Sequence, residues 1–443
     1  MLEHIENFAK LFLNKTHNQK IQLIGHFDTD GITSTAVLTK TLDRSGKFFT
    51  TKIMKQLSSE EIDKLPKDKV LLFVDLASGS IEKLNQLNNT IFIIDHHEIK
   101  ITTELRENFY ILNPHIYEDS LDLCSAELAY LFSRAISEDN KDLASLAILG
   151  MIGDTMEKNI NKIRNLIIKE SEVRIKKGFL LYPSTRPLNK ALEYSSRPFI
   201  PGITGEKHKV IELLKEAGIE KIGKTYKALI DLSDEEMKNL STAIMLRLNP
   251  QEAHDYIGNL YLVKFFNKIE DARELSAIIN ACSRMDNSNI ALLFCLGNKE
   301  ARKKAEKMYL KYRQHIISGL KYVDTCEKIQ GKNYVIINAK DNIKDTIIGT
   351  IASILSFSSV YKEGTIIVAM AYNEDKIKVS MRMAGRKGSG RNLKELVESL
   401  TQSLGNGEYG GHKYAAGCTI KLEDEQKFIE LVQRKLQIEM VKM

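Results

Sequence analysis

The 443-residue chain has no tryptophan, only 7 prolines and only 5 cysteines. The cysteines, Cys124, Cys282, Cys295, Cys326 and Cys418, are odd in number and nowhere spaced as CxxC. That argues against a disulfide framework and a structural zinc site, and fits a reducing compartment. No apolar run approaches the length of a membrane span, and Met1 to Lys10 lacks the apolar core of a signal peptide. The chain is therefore expected to be cytoplasmic. It shows no internal repeat and no low-complexity tract, which excludes solenoid and disordered-tail readings. The net charge of +6 permits a polyanionic partner without demanding one.

What is present is a change of rhythm along the chain. Ile21 to Ile24 reads as a buried strand, followed by a polar turn and a helix from about Ile32 to Leu42. Val70 to Val74 and Ile91 to Ile94 read as further strands, and Ile111 and Leu112 as the start of another. This βαβ alternation predicts an α/β fold with a parallel sheet. Leu121 to Met156 turns helical, with a break near Glu138 to Asn140. The expected division is a catalytic α/β domain (1–158), a mainly helical middle (159–298), a connector helix (299–325) and a smaller C-terminal α/β domain (326–443). In the last, strands are expected at Tyr334 to Asn338, Thr365 to Ala371, Lys376 to Met383 and Gly417 to Lys421, with a helix from about Asn392 to Leu404.

His26, Asp28 and Asp30 follow the first strand in Gly25-His-Phe-Asp-Thr-Asp-Gly31. Ligands of open α/β sheets bind at the C-terminal ends of strands. Two carboxylates and an imidazole gathered there repel one another unless cations compensate. Taken alone, the tract reads equally as a turn capping the next helix. Asp75 ends the strand Val70 to Val74, Asp95-His96-His97 ends Ile91 to Ile94, and Asp154 ends an apolar helical segment. Four such placements together point to metal ligation. Mixed carboxylate and imidazole ligands suit Mn²⁺, with Mg²⁺ or Zn²⁺ as alternatives. Two ions are plausible, with Asp75 the candidate bridge because it ends the central strand.

Ser380-Met-Arg382 ends a strand, and Gly410-Gly-His412-Lys-Tyr-Ala-Ala-Gly417 follows about thirty residues later. Glycines let backbone N–H groups approach a phosphate, and arginine binds one through two donors. In isolation the Gly-rich tract reads more readily as a hairpin-like turn with a buried histidine. Between them, Gly385-Arg386-Lys387-Gly-Ser-Gly-Arg391 precedes a helix and favours anions, or is a solvated loop. Arg284 could reach a substrate phosphate, or lie on the surface. The basic residues of the long helix Lys299 to Val323 form a solvated face or track a nucleic-acid backbone.

Together these tracts resemble the DHH phosphoesterase superfamily, whose naming motif is matched by Asp95-His96-His97. His26, Asp28 and Asp30 match its first motif, Asp75 its second and Asp154 its fourth. The resemblance implies one metal on Asp28 and Asp75, with His26 a further candidate. It implies a second on Asp30, Asp75, His96 and Asp154, and it turns His97 toward the substrate phosphate. The histidine lies two residues before Asp28, as in RecJ-like members. The C-terminal pair resembles the DHHA1 domain, with an SxR tract and a GGGH tract whose first glycine is Tyr409 here. Arg382, Gly410, Gly411 and His412 would then hold substrate, with Arg386 and Lys387 beside them. Within the superfamily the chain looks most similar to archaeal RecJ-like exonucleases. The expected activity is two-metal hydrolysis of single-stranded DNA or RNA, with Asp75, His97, Arg382 and His412 catalytic. Two alternatives stay open. One is a phosphoesterase for oligoribonucleotides, pAp, cyclic dinucleotides or pyrophosphate; the other is a structural subunit of a replicative helicase complex, with GINS-type proteins as partners.

Overall fold

The computed structural model describes residues 1–118, 121–195, 198–248, 256–358, 360–385, 391–405 and 408–441, with backbone alone at 408, 412 and 437–441. The chain is a mixed α/β protein and forms two compact units. The first is Met1–Lys177 with Asn259–Tyr309, and the second is Gly178–Gly258 with Leu310–Met443.

The first unit is built on five parallel strands: β1 (Lys20–His26), β2 (Phe48–Met54), β3 (Val70–Val74), β4 (Ile91–Ile94) and β5 (Phe109–Leu112). Every residue of β3 and β4 is buried, as unbroken apolar runs require when both faces of a parallel sheet are covered. The strand order is β2-β1-β3-β4-β5, so the order reverses between β1 and β3. A crevice opens outside the strand ends at such a reversal, and Asp28, Asp30 and Asp75 follow β1 and β3. The strand β2 was not anticipated from the sequence. Only Met54 of that edge strand is buried, so its residues carry no apolar run to announce it.

One face of the sheet packs on helix Thr29–Arg44, which is buried from Thr29 through Leu38. A helix sunk this deep must satisfy its own hydroxyls. Thr33, Ser34, Thr35 and Thr41 donate back to the carbonyls of Thr29, Gly31, Gly31 and Val37. The helix begins at Thr29, three residues before the expected start, so Asp30 lies in its first turn rather than in a loop. Phe8, Phe12, Phe92 and Phe132 meet edge to face at 5.0–5.8 Å, joining the helices Leu2–Lys15 and Ser125–Ile136 to β4. The opposite face packs Ile24, Phe73 and Ile93 against Ile62, Ile81 and Leu84.

The middle stretch, read as mainly helical, also holds the hairpin of strands Ile257–Phe265 and Lys268–Asp271. Its turn places Phe266 and Asn267 at φ 49° and 60°, without the glycine that usually marks such a hairpin in sequence. One unbroken helix, Lys299–Thr325, covers the span expected for it. Among the described residues no helix is long and apolar enough to cross a membrane.

The second unit carries a mixed six-stranded sheet in the order Ile329–Gln330, Tyr334–Asn338, Ile366–Asn373, Lys376–Met383, Ala415–Lys421 and Glu408–His412. Tyr334–Asn338 runs parallel to Ile366–Asn373, and the other pairs are antiparallel. Val368, Met370, Val379 and Met381 pack against the helices Leu393–Leu404 and Glu425–Val441. The helix Asp345–Ser356 was not anticipated from the sequence. The tract expected as a Gly-rich turn is instead an edge strand, because Glu408–His412 pairs along its length with Ala415–Thr419.

Candidate metal centre

His26 closes β1, and Asp28 immediately caps the helix that follows. One Asp28 oxygen accepts the Gly31 N–H at 3.0 Å, and the other lies 3.1 Å from His26 Nδ1. The turn and ligand readings of this tract are thus compatible, since one carboxylate has an oxygen for each task. Asp30 is fully buried. Its Oδ2 accepts the Ser125 N–H at 2.8 Å and its Oδ1 the Ala126 N–H at 2.9 Å. The N-terminus of the helix Ser125–Ile136 is therefore aimed at this carboxylate, where the helix dipole favours negative charge. Gly150 keeps the space clear: a Cβ there would lie 2.7 Å from Asp30 Oδ1.

Asp75 follows β3 in left-handed backbone, φ 57°. Such a conformation costs an aspartate about 1–3 kcal/mol and persists only where the surroundings fix it. Its Oδ2 lies 3.3 Å from His26 Nδ1, while its Oδ1 lies 3.5 Å from His96 Nε2 and accepts the Ser125 hydroxyl at 2.9 Å. Asp154 caps the end of the helix Ala144–Gly153, before Thr155 at φ 59°. His96 Nε2 lies 3.2 Å from Asp154 Oδ2 and 3.9 Å from Asp30 Oδ2.

The ligand atoms fall into three groups, within each of which they lie no more than 4.8 Å apart: His26, Asp28 and Asp75; Asp30, His96 and Asp154; and Asp75, His96 and His97. All six residues expected to bind metal are brought together here. Charge in the cluster is poorly balanced. Burial, followed by repulsion from Asp28, Asp30, Asp95 and Asp154, holds the Asp75 carboxyl well above its usual range. Burial and the carboxylates of Asp30 and Asp28 push Asp154 up to about 9. Burial also raises Asp30, with His96 opposing. Burial works against Asp28 ionisation too, but the neighbouring His26 and the Gly31 N–H outweigh it and hold Asp28 low. Hard carboxylate oxygens with two or three imidazoles, short of compensating charge, fit a pair of divalent cations.

Asp95 belongs to none of the three groups. Its Oδ1 accepts His97 Nδ1 at 2.7 Å and the His96 N–H at 2.8 Å, and its Oδ2 accepts the Ser78 N–H at 3.0 Å. Burial opposes its ionisation, yet the bonds from His97 and Ser78 bring it down to about 2. It thus orients the two histidines. The His97 ring is about half exposed, and its bond to Asp95 raises its pKa against the effect of burial. Asn113, fully buried, donates to the His97 carbonyl at 2.9 Å and to Ser78 Oγ at 3.2 Å.

Sequence reasoning missed Ser125, Asn113 and the buried pair beneath them. Glu127, two residues beyond Ser125, accepts the Cys124 N–H at 2.8 Å and meets Arg164 Nε at 2.8 Å, with both side chains inaccessible to solvent. The only signal in the sequence was Cys124-Ser-Ala-Glu127, a capping-box spacing at a helix start. Removing one partner strands a buried charge. Arg164→Met is expected to cost about 3–5 kcal/mol in urea unfolding, and Glu127→Leu/Arg164→Met to recover most of it. A double variant as unstable as the single one would contradict this.

In the second unit, Arg382 donates through Nε to Ser353 Oγ at 2.9 Å and through an Nη to the Met381 carbonyl at 2.8 Å. Arg382 pairs with Ala415, and Ala415 with His412; Ser380 pairs with Gly417, and Gly417 with Gly410. Directly opposed residues share a face, so these register positions line one side of the sheet, and Tyr409 falls on the other. A Cβ at Gly410 would meet nothing within 4 Å. Arg284 ends the helix Ala272–Arg284 in the first unit, half-buried. Arg386, Lys387 and the His412 side chain lie outside what the structure describes.

The chain matches the N-terminal domain of the DHH family over residues 20–151, the DHH-CID domain over 181–255 and the DHHA1 domain over 331–437. The chain thus carries DHH, DHH-CID and DHHA1 domains. This DHH/DHHA1 protein is 29% identical to the uncharacterized protein MJ0831 of Methanocaldococcus jannaschii, over 97% of both chains. Its fold is similar to that of RecJ from Thermus thermophilus, solved in complex with Mn²⁺, at a TM-score of 0.60 and 17% identity. The match takes in 98% of this chain but only 54% of that RecJ, so the chain spans about half its length. The fold is also similar to that of CDC45 from Entamoeba histolytica, at a TM-score of 0.68 and 13% identity, over 97% of this chain and 98% of the other.

Proposed function

We propose that this chain is a Mn²⁺-dependent phosphodiesterase that hydrolyses single-stranded DNA or RNA from an end. The observation that carries the reading is the position of Asp75. One of its oxygens faces His26, beside Asp28, and the other faces His96, beside Asp30 and Asp154. In this reading His26, Asp28 and Asp75 hold one cation, and Asp30, Asp75, His96 and Asp154 the other. Bound divalent cations supply Lewis acidity toward a phosphate oxygen and toward the attacking water. The half-exposed His97, whose protonated form is favoured by its bond to Asp95, faces a phosphate oxygen and offsets charge as it develops. In the second unit, Arg382, His412, Gly410 and Gly411 meet a phosphate of the strand. Arg284, Arg386 and Lys387 meet neighbouring phosphates of the strand. That T. thermophilus RecJ was solved with Mn²⁺ agrees with the donor set found here.

The test is digestion of single-stranded DNA and RNA, labelled at either end, with Mn²⁺ or with EDTA. Mononucleotides are expected to appear only with the metal. Faster turnover of pAp, pyrophosphate, cyclic dinucleotides or short oligoribonucleotides would replace the substrate class. Absence of metal-dependent hydrolysis of every substrate would sink the enzymatic reading, and capture of GINS-type proteins by the same sample would then favour a structural subunit.

A further inference from the structure

Ser125 is the first residue of its helix and is fully buried. Two of its donors point into the carboxylate cluster. The backbone N–H reaches Asp30 Oδ2 at 2.8 Å, and the hydroxyl reaches Asp75 Oδ1 at 2.9 Å. Asp30 and Asp75 fall in different ligand groups yet share the second cation of the reading above, so Ser125 ties Asp30 to the one carboxylate common to both cations. Asp75 needs such a tie. Its backbone is held in the left-handed region, and its two oxygens face separate groups. A rotation about its terminal torsion, which is broad for a carboxylate, would turn both oxygens away from their groups.

Ser125 is itself held firmly. The Ala126 N–H also donates to Asp30, at 2.9 Å, and the Cys124 N–H is fixed by Glu127, whose charge is matched by Arg164. The hydroxyl thus comes from a rigid helix end rather than from a mobile loop. Loss of the hydroxyl leaves both backbone donors to Asp30 intact, so the two functions of the residue can be separated experimentally.

We infer that Ser125 is a positioning residue whose hydroxyl sets the rotation of the Asp75 carboxylate and thereby couples the two cation sites. The inference rests on the two-cation reading above. Partners that orient metal ligands in this way are worth about 10–100-fold in metal affinity or activity. Metal is bound through the ligands themselves, so Ser125→Ala should keep the sites but loosen the shared one.

The experiment titrates the full-length protein, stripped of metal, with MnCl₂ by calorimetry, and records the Mn²⁺ electron paramagnetic resonance spectrum at two equivalents. Wild type, Ser125→Ala and Ser125→Thr are compared. Wild type is expected to bind two ions and to show a spin-coupled spectrum. Ser125→Ala should lose about 10–100-fold in affinity for the second ion and lose the coupled signal, while its metal-free melting temperature stays within a few degrees of wild type. Ser125→Thr, which keeps the hydroxyl, should restore the coupled signal. Two ions bound by Ser125→Ala with wild-type affinity and an unchanged coupled spectrum would overturn the role of Ser125 and leave the two-cation reading intact. Wild-type protein that takes up no pair of ions would overturn both.

Discussion

Asp75→Asn is expected to abolish metal-dependent hydrolysis while making the metal-free protein more stable. The loss should reach at least about 10³-fold in kcat/KM, which corresponds to about 4 kcal/mol of transition-state stabilisation. An amide lacks the charge to hold a cation, and Asp75 is the residue shared by both metal groups in the proposed mechanism. The gain in stability has the same origin. The Asp75 carboxyl is buried among Asp28, Asp30, Asp95 and Asp154, and its ionised form is strongly disfavoured. Asparagine has nearly the shape of the protonated acid and removes the repulsion. Mononucleotide release from labelled strands reads the first effect, and thermal melting in EDTA reads the second. A variant that keeps activity would remove the proposed mechanism; one that is inactive but destabilised would show that Asp75 is not under electrostatic strain.

The second large effect is one of pH. A carboxyl whose pKa is higher in the folded than in the unfolded chain binds more protons when folded. Stability therefore falls as pH rises between the two values. For Asp154 that window runs from the ordinary 3.8 to about 9, and Asp75 and Asp30 act in the same direction. His26 and His97, both raised, also lose their contribution as pH climbs through their folded-state values. Asp28 and Asp95 are lowered, so their contribution is lost only at acid pH, below 3.8. The metal-free protein should therefore melt at progressively lower temperature from pH 6 to pH 9. Mn²⁺ competes with those protons, so its binding releases protons and tightens with pH. The rise in melting temperature on adding Mn²⁺ should accordingly be larger at pH 8.5 than at pH 6. A shift independent of pH would mean that the ion binds elsewhere.

Much of this was legible in the sequence for a physical reason. A strand buried on both faces must be an unbroken apolar run, and Val70–Val74 and Ile91–Ile94 announce themselves in that way. A polar residue directly after such a run marks the end of a strand, where ligands bind, so Asp75 and Asp95-His96-His97 could be picked out without coordinates. The edge strand Phe48–Met54 could not, because an exposed strand needs no apolar run. Nor could the edge strand Glu408–His412, whose glycines signal a turn until its partner is known.

Local sequence thus determined which side chains can carry the chemistry, since ligand type and strand end are properties of a few consecutive residues. Tertiary structure alone decided how they are shared out. Asp95 became the support of His97 rather than a member of any ligand group, and Ser125, fifty residues beyond Asp75, became its hydrogen-bond partner. Those assignments depend on which segments the sheet order and the helix packing bring within about 3 Å, the range of a hydrogen bond, and no neighbouring residue in the sequence encodes that distance.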